Sequence, residues 1–406
     1  MKPTIKIKTI QGGITAVDGF MAAGLAAGIK KNNVPDMALI YSDRPCSVAA
    51  LFTKNKFPAP PLVLNKKHLK KGFGQAIIIN SGNANAFTGK QGKKDAKAMA
   101  LETAQHLNVS LETVYVASTG VISQLLPMEK IQPAIPKLYA MLSKKGSHAA
   151  AEAIMTTDTW AKECAFEGSV GKNVVRIGGI TKGSGMIHPN MATMLAFLST
   201  DVLITQTLLQ SALREAVDLS FHRITIDRDT STNDMVLLFA NGKQGNIINK
   251  KGTRYKQFTS LLTTACTTLA KMLIQDAEGA TKFVTIEVEG AKNEKAASKI
   301  AFAIANSLLV KTAFFGEDAN WGRIIAAIGN SKIKVRPEEI SLFFGPIQLV
   351  KNGIYLGLQA EEKITTYLKS KEIILKLKLQ SGKDKACVWT SDLSLDYVKI
   401  NALYRT

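Results

Sequence analysis

The stretch TKGSGMIHPNMATMLAFLSTD, residues 181–201, is the part of the chain from which the fold and the chemistry can best be inferred. Its first half is rich in loop-forming residues, because Gly183 and Gly185 permit tight turns and Pro189 fixes its own φ angle. From Thr193 onward the composition turns apolar. The pattern predicts a glycine-containing loop that leads into a buried strand.

The junction between Ala192 and Thr193 offers a specific chemistry. A small alanine leaves the peptide bond accessible, and the threonine hydroxyl could attack the preceding carbonyl in an N-to-O acyl shift. Hydrolysis of the ester would release an N-terminal threonine whose own α-amine, with a pKa of about 7.7–8, serves as a general base beside the hydroxyl. The alternative is purely structural, since threonine is β-branched and common where strands begin. From these residues alone both interpretations stay open.

Outward from this stretch, strand-like and helix-like segments mix along the chain. Alternating or β-branched runs predict strands at 75–80, 113–119, 284–290, 309–316 and 347–356, and helical periodicity predicts helices at 96–107, 206–219, 258–275 and 293–308. The two kinds of element do not alternate strictly, and the helices cluster. We therefore expect an α/β fold of layered α/β/α architecture, with helices on the outer faces of sheets.

The chain is strongly basic, with 52 Lys and Arg against 32 Asp and Glu in 406 residues and a formal net charge of +20. The positive residues are diffuse, and the segment EIILKLKL places Lys376 and Lys378 on one side of a strand with leucines on the other. No aromatic residues interleave with the lysines as a base-stacking platform would require. The charge therefore favours a solvated surface, and a nucleic-acid or polyanion binder is only a competing hypothesis, which a mobility-shift titration at physiological salt would test.

Several other classes of site have no support in the sequence. We find no phosphate-binding glycine loop, no G-x-S-x-G elbow, no Cys-x-x-Cys pair among the four cysteines and no His-Glu-x-x-His. Asp227, Asp229 and Asp234 do not have the spacing of a calcium loop. No apolar run is long enough for a membrane span, and the first residues lack a secretory h-region. We expect no metal ion, cofactor, membrane or nucleic-acid partner, and a cytoplasmic location.

Nine ordered motifs carry a resemblance to a known family over essentially the whole chain. They are GFMAAGLAAGIK (19–30), INSGNANAFTG (79–89), ASTGVIS (117–123), MTTDT (155–159), KGSGMIHPNMATMLAF (182–197), DRDTSTND (227–234), DAEGATK (276–282), GEDANWGRI (316–324) and YVKINALYRT (397–406). With these motifs the sequence resembles the glutamate N-acetyltransferases, also called ornithine acetyltransferases. The resemblance favours the nucleophile interpretation of Thr193.

The resemblance implies a self-processing enzyme of arginine biosynthesis. Cleavage between Ala192 and Thr193 would give an alpha chain, residues 1–192, and a beta chain, residues 193–406, which stay together and pair as a heterotetramer. The implied fold is similar to that of self-processed amidases and aminopeptidases. The implied reaction moves an acetyl group from N2-acetyl-L-ornithine to L-glutamate by a ping-pong mechanism through acetyl-Thr193. Whether acetyl-CoA is also a donor is left open by the sequence.

The same resemblance assigns roles to particular residues. Thr119 and Gly120 match the pair that stabilises the oxyanion, and the residues matching substrate-binding positions are Thr159, Lys182, Thr193, Glu278, Asn401 and Thr406. Lys182 suits a carboxylate and Glu278 an ammonium group. Roles for Asn401 and Thr406 imply a docked, ordered C-terminal tail. Asn83, Asn85 and residues 316–321 are expected to line or support the site.

A self-processed hydrolase of the amidase or aminopeptidase type is the main alternative. Its chemistry is the same until water, rather than glutamate, accepts the acetyl group. The two hypotheses are separated by whether glutamate outcompetes water for the acetyl-enzyme.

Overall fold

The structure is a computed structural model that describes residues 5–188, 194–245 and 247–403. Its strands are β1 (Ile7–Ile10), β2 (Phe20–Leu25), β3 (Met37–Phe52), β4 (Phe73–Asn83), β5 (Val114–Val121), β6 (Lys162–Val170), β7 (Asn173–Lys182), β8 (Leu195–Thr200), β9 (Ile224–Thr225), β10 (Met235–Ala240), β11 (Phe283–Ala291), β12 (Ser341–Phe344), β13 (Ile347–Lys351), β14 (Ile354–Tyr355), β15 (Glu372–Lys378) and β16 (Asp384–Ser391). Its α-helices are α1 (Pro60–His68), α2 (Gly89–Leu107), α3 (Met128–Ala140), α4 (Ser147–Ala153), α5 (Gln206–Asp218), α6 (Thr253–Gln275), α7 (Glu294–Ala305), α8 (Leu308–Phe315), α9 (Trp321–Gly329), α10 (Leu358–Leu368) and α11 (Leu395–Leu403).

The first sheet contains nine strands within the described ranges. Its order is β1-β6-β7-β8-β10-β3-β4-β5, and β2 pairs with β3. Strands β8 and β10 run parallel at the centre, whereas β7 is antiparallel to β8, with Lys182 opposite Leu195. The end of β7 and the beginnings of β8 and β10 therefore lie together, at the same end of these central strands.

Both faces of this sheet are buried. On β8, Ala196 and Leu198 face an apolar core that α5 and α6 complete, and Leu195 and Phe197 face a second core that contains alanines of α4. Helices thus cover both faces of the central strands. The predicted layered α/β architecture is confirmed.

The second sheet has seven strands in the described part of the chain, in the order β14-β13-β12-β15-β11-β16-β9. On β15, Ile373, Leu375 and Leu377 are buried in a core shared with α7 and α10, while Lys378 is exposed and Lys376 is half-buried. This confirms that the two lysines lie on the solvent side of a half-buried strand.

The predicted strand at 309–316 is wrong, because this segment forms helix α8. Ser307 caps its first turn by accepting a hydrogen bond from the Val310 amide at 3.4 Å. A short apolar run has no clear period, so sequence alone does not separate a buried strand from a buried helix. The predicted strand at 347–356 is two strands, β13 and β14, since Asn352 and Gly353 turn the chain with φ angles of 48° and 80°.

The described residues show no cluster of three or more His, Cys, Asp or Glu side chains able to hold a metal ion. All four cysteines are free thiols. In the same part of the chain no single helix is long and apolar enough to cross a membrane. One pair bent by 59°, Glu294–Ala305 with Leu308–Phe315, passes that test by length and composition only.

Candidate active site

A small cavity lies where the ends of several elements meet. Its volume is about 60 Å³. The residues that line it span more than 300 positions of the sequence. They are Ala84, Thr119, Gly120, Ile122, Thr156, Thr157, Lys182, Gly185, Met186, Ser231, Asn233, Glu278 and Asn401.

Thr119 and Gly120 lie near the end of β5, where the backbone turns into the cavity. Gly120 has a φ angle of 131°, and a Cβ atom there would lie 2.3 Å from the carbonyl carbon of Gly82 on the neighbouring strand. Only glycine fits this close approach. Thr119 and Gly120 both line the cavity, and a threonine hydroxyl with a neighbouring backbone N–H is a suitable pair of donors for an oxyanion.

A buried asparagine holds this wall in place. Asn233 donates from its side-chain amide to the carbonyl oxygens of Ala84 and Ser118, at 2.6 and 2.8 Å. Ser118 directly precedes Thr119, and its hydroxyl donates to the side-chain oxygen of Asn80 at 2.6 Å. Fully satisfied buried polar networks of this kind rigidify the backbone that they bond.

Lys182, the last residue of β7, brings a positive charge into the cavity. It is 3% exposed, and its Nζ donates to the Thr156 hydroxyl at 2.7 Å and lies 3.8 Å from a carboxylate oxygen of Asp158. Burial lowers the pKa of Lys182, and Asp158 and Glu278 oppose that shift. A lysine in this position is a natural partner for a substrate carboxylate.

Behind Lys182 lies a buried network of charges. Lys162 donates to Asp158 at 2.7 Å and to Asp276 at 2.5 Å, and the amide of Gly183 donates to Asp158 at 2.7 Å. Burial alone would raise the pKa of Asp158, but the ammonium groups of Lys182 and Lys162 hold it below its usual range. Asp158 is therefore a fixed anion that orients Lys182.

Glu278 supplies the opposite charge. It is 9% exposed, and its Oε2 accepts a hydrogen bond from the side-chain amide of Asn401 at 2.8 Å. Gly185 makes this placement possible, because a Cβ atom on it would lie 2.4 Å from the Glu278 carboxylate. Because the Glu278 carboxylate accepts from one side-chain amide within the described part of the chain, it keeps lone pairs available for a ligand ammonium group.

Helix α11 brings Asn401 to the cavity and is anchored at its beginning. The Ser394 hydroxyl donates to the carbonyl of Gly279 at 2.5 Å, and the Tyr397 hydroxyl donates to Asp227 at 3.2 Å. Asp227 also accepts from the amide of Met186, a cavity residue, at 2.6 Å. The C-terminal helix and the cavity wall therefore share one hydrogen-bonded framework.

The sequence that forms this cavity is similar to known proteins over nearly its whole length. A sequence model of the ArgJ family matches residues 21–406. The chain is 46% identical over 391 residues to the arginine biosynthesis bifunctional protein ArgJ of Geobacter sulfurreducens, covering 96% of this chain and 100% of the relative. The chain belongs to the ArgJ family.

Solved structures of ArgJ proteins are also similar to parts of the chain. A crystal structure of the arginine biosynthesis bifunctional protein ArgJ from Bacillus halodurans is 40% identical, covers 47% of this chain and all of its own, and superposes with a TM-score of 0.44. The ornithine acetyltransferase of Mycobacterium tuberculosis, solved in complex with ornithine, is 34% identical, covers 45% of this chain and 98% of its own, and has a TM-score of 0.42.

In this ArgJ-family chain, five residues with an expected role line the cavity: Thr119, Gly120, Lys182, Glu278 and Asn401. Thr193, Ala192 and Thr406 lie outside the described residues. Thr159 is exposed and does not line the cavity, because its amide and hydroxyl both donate to Asp276, the amide at 2.9 Å. Its expected role in substrate binding stays a prediction.

Among the residues expected to support the site, Asn83 and Asn85 are buried behind the cavity wall. Asn83 donates to the carbonyl of Leu125 at 2.9 Å and accepts from the amide of Asn85 at 2.8 Å. Residues 316–321 do not line the cavity, and Glu317 instead pairs with Lys282 at 2.7 Å.

Sequence reasoning missed four polar residues that line the cavity, namely Thr156, Thr157, Ser231 and Asn233. All four belong to two of the motifs that carried the resemblance, MTTDT and DRDTSTND. The motifs were therefore the available signal, but they do not show which of their hydroxyl and amide groups turn inward.

Proposed function

We propose that this ArgJ-family chain transfers the acetyl group of N2-acetyl-L-ornithine to L-glutamate through a covalent acetyl-threonine at Thr193. Acetyl transfer in arginine biosynthesis is the activity of the family to which it belongs. The observation that carries the assignment to this site is the convergence of Thr119, Gly120, Lys182, Glu278 and Asn401 on one cavity. That cavity lies beside the beginning of β8, two residues after Thr193.

The reaction then proceeds in two half-reactions. The Thr193 hydroxyl attacks the acetyl carbonyl carbon while the α-amine of the same residue takes the hydroxyl proton and later delivers it to the leaving nitrogen of ornithine. Thr119 and Gly120 donate to the oxyanion, and one such donor is worth roughly 2.7–4 kcal/mol of transition-state stabilisation. Glutamate replaces ornithine, and its amine attacks the acetyl carbon. The bond from that carbon to the Thr193 oxygen breaks, and the α-amine of Thr193 carries a proton from the glutamate nitrogen to that oxygen.

The two charged groups of the cavity suit the two substrates. Lys182 is proposed to bind the substrate carboxylate, and Glu278 the side-chain ammonium of N2-acetylornithine. The buried network of Asp158 supports this role for Lys182, since it holds the ammonium in a 3.8 Å ion pair that is longer than a hydrogen bond. Thr159 and Thr406 are proposed as further substrate-binding residues by their match to the family motifs alone.

Self-cleavage at Ala192–Thr193 would leave an alpha chain of residues 1–192 and a beta chain of residues 193–406. Strand pairing supports their remaining together, because β8 of the second part pairs with β7 of the first, and β10 pairs with β3. Each of these antiparallel pairs joins six residues to six others. We expect two such heterodimers to form a heterotetramer, which native mass spectrometry would measure.

A second activity, acetylation of glutamate from acetyl-CoA, also belongs to the proposal. Its support is the name of the Geobacter relative, a bifunctional protein of arginine biosynthesis, with which this chain shares nearly its full length. Assaying glutamate acetylation with acetyl-CoA and with N2-acetylornithine as alternative donors decides whether the chain has both activities.

Denaturing electrophoresis of the wild type and of Thr193→Ala tests the nucleophile. The wild type should separate into two chains near half the full mass, and the variant should stay intact and inactive. An uncleaved wild type that still transfers acetyl groups would exclude an N-terminal nucleophile. Rapid hydrolysis of the acetyl-enzyme at saturating glutamate would favour a hydrolase instead.

Deletion of residues 404–406 tests the tail. We expect loss of transfer with an unchanged melting temperature, because α11 is anchored by Ser394 and Tyr397 ahead of the deletion. Full activity after deletion would remove Thr406 from the site.

A further inference from the structure

Asp234 lies immediately before β10, at the end of the sheet where both β8 and β10 begin. Because β8 and β10 are parallel, with Leu195 opposite Met235, the residues that precede the two strands lie side by side. Asp234 is 1% exposed, and its Oδ1 accepts a hydrogen bond from the Met194 amide at 3.1 Å. The acetyl-transfer reaction does not use this carboxyl group.

The other oxygen of Asp234 has no hydrogen-bond partner among the described residues. The side chain of Thr53 and the backbone N–H of Ser231 favour the charged form of Asp234, but neither reaches Oδ2 with hydrogen-bond geometry, and the Thr53 hydroxyl donates its proton to the carbonyl of Ser231 at 2.9 Å. The charged group that acts on Asp234 is Lys182, which in turn faces Asp158, Lys162 and Glu278. An unpartnered buried carboxyl oxygen costs stability, so its retention needs an explanation.

Other buried carboxylates of the described chain are satisfied. Asp201, at the opposite end of β8, accepts from the amide of Arg176 at 2.9 Å with one oxygen and from the side chain of Gln244 at 3.5 Å with the other. Asp227 accepts from the amides of Met186 and Asp229. The orphan oxygen therefore distinguishes Asp234 from carboxylates of similar burial.

Self-cleavage has a requirement that acetyl transfer does not share. In the uncleaved chain the nitrogen of Thr193 is a peptide nitrogen, and a peptide nitrogen is not a base at neutral pH. The α-amine that serves acetyl transfer appears only after the bond to Ala192 has broken. Another group must therefore carry the hydroxyl proton during the N-to-O acyl shift.

Covalent geometry puts Asp234 within reach of that step. The nitrogen of Met194 is bonded to the carbonyl carbon of Thr193, so the Thr193 α-carbon is only about 2.4 Å from the atom that Asp234 already bonds. The hydroxyl oxygen of a threonine is two covalent bonds, ~2.4 Å, from its α-carbon, so the Thr193 hydroxyl belongs to the residue directly before the amide that Asp234 accepts from.

We propose that Asp234 is the proton carrier of self-cleavage, with Oδ2 taking the proton of the Thr193 hydroxyl and delivering it to the departing peptide nitrogen. In this step the Thr193 oxygen bonds to the carbonyl carbon of Ala192, the bond from that carbon to nitrogen breaks, and the transferred proton completes the new α-amine. Water then hydrolyses the ester, which releases the Ala192 carboxylate, restores the threonine hydroxyl and gives one proton to solvent. Asp234 ends the cycle in its starting protonation state.

The electrostatics of the site agree with this role. Burial raises the pKa of Asp234 well above its ordinary value, and Lys182 only partly opposes the shift. A carboxylate with a raised pKa is a stronger base once deprotonated, and a carboxyl group that titrates nearer neutral pH both accepts and returns a proton efficiently. The inference rests on the proposed function, since it takes Thr193 as the nucleophile.

Pulse-labelled cell-free synthesis tests the proposal, because it follows conversion of the fresh full-length chain into two fragments. Asp234→Asn should slow cleavage by about 10²- to 10⁴-fold, the usual worth of a general acid–base group. Asp201→Asn is the matched control, since it alters a similarly buried carboxylate with both oxygens bonded, at the far end of the neighbouring strand β8, and should cleave at the wild-type rate.

Two further measurements separate proton transfer from a structural role. The wild-type cleavage rate should rise with pH through a single titration that Asp234→Asn lacks, and formate should accelerate cleavage of Asp234→Gly. Wild-type cleavage rates for Asp234→Asn, or a slow variant with an unchanged pH profile and no rescue by formate, would overturn the proposal.

The Thr193→Ala variant keeps this test distinct from the test of the proposed function. If Thr193→Ala blocks cleavage and Asp234→Asn does not, Asp234 is excluded while the nucleophile stands. If Thr193→Ala still cleaves after Ala192, the nucleophile itself is excluded and the proposal falls with it.

Discussion

Replacing Gly120 by alanine should remove the oxyanion stabilisation while leaving every charged group of the cavity in place. The new Cβ atom would lie 2.3 Å from the Gly82 carbonyl carbon and 2.5 Å from the Asn83 nitrogen. Ordinary contacts of this kind begin at 3.4 Å, so the strands must separate by about 3.4 − 2.3 = 1.1 Å. These neighbours are backbone atoms of β4, which cannot rotate away as a side chain could.

The size of the effect follows from that displacement. A shift of about 1 Å at a reacting centre costs on the order of 10²-fold in rate, and loss of one oxyanion donor costs roughly 10²- to 10³-fold. We therefore expect kcat to fall between about 100- and 1000-fold. The positive φ of 131° at Gly120 adds about 1–3 kcal/mol of backbone strain, which should lower the melting temperature by several degrees.

The assay is steady-state acetyl transfer from N2-acetylornithine to glutamate, with the rate divided by the amount of cleaved chain. Gly89→Ala is the matched control, because Gly89 also has a positive φ, 61°, but a Cβ atom there would have no neighbour within 4 Å, and Gly89 does not line the cavity. It should keep kcat within about twofold. A Gly120→Ala enzyme that is cleaved, folded and within threefold of the wild-type kcat would refute the oxyanion role.

Three further outcomes are expected. Glu278→Gln should raise KM for N2-acetylornithine by roughly 10- to 100-fold, as expected for losing a charged hydrogen bond of about 1.5–3 kcal/mol, and should change KM for glutamate much less; equal effects on both would contradict the ammonium role. Burial lowers the pKa of Lys182, so its positive charge is lost at a lower pH than that of an ordinary lysine. Inhibition by N-acetylglutamate, which has no titrating amine, should therefore weaken in the wild type as the pH rises and that charge is lost, and an inhibition constant that does not change with pH would exclude the contact. Burial lowers the pKa of Lys311 to about 8, so the unfolded chain binds more protons than the folded chain between about pH 8 and 10.5, and the free energy of unfolding rises with pH in that window. Chemical denaturation should show that the free energy of unfolding of the wild type gains up to roughly 3 kcal/mol relative to that of Lys311→Met between about pH 7.5 and 10.5. Parallel pH curves for the two proteins would show that Lys311 does not titrate in this range.

Much of the fold could be predicted because hydrophobic periodicity reflects burial directly. The helix predicted at 258–275 lies within α6, whose buried residues recur at helical spacing, and the lysines of β15 lie on the solvent side as alternation requires. Helix α2 begins at Gly89, earlier than predicted, because the glycines and lysines of its first turns have no apolar period. Periodicity fails where an element is short, uniformly apolar or uniformly polar.

The site was predictable to the level of motifs and not to the level of side-chain direction. Thr156, Thr157 and Thr159 lie in the loop of residues 154–161 between α4 and β6, where neither a helical nor a strand period relates position to orientation. Only the folded chain shows that Thr156 accepts from Lys182 whereas Thr159 turns to Asp276. That division depends on the buried pairing of Lys162 with Asp276, two residues 114 positions apart, which no local pattern reveals.

The partners of the cavity's two charged groups explain how one site could serve substrates with opposite side-chain charges. Among the described residues, Lys182 donates at hydrogen-bond distance only to Thr156, so its ammonium keeps donors for a carboxylate that both substrates carry. At the other charged group of the cavity, the side-chain amide of Asn401 donates to the Glu278 carboxylate at 2.8 Å. An ornithine ammonium group would bind the carboxylate of that pair, whereas a glutamate carboxylate would compete with Glu278 for the amide of Asn401. If the proposed function holds, Glu278 offers an acceptor to the ornithine side chain and Asn401 offers a donor to the glutamate side chain. The binding of glutamate then does not depend on the net charge of +20 that the whole chain carries.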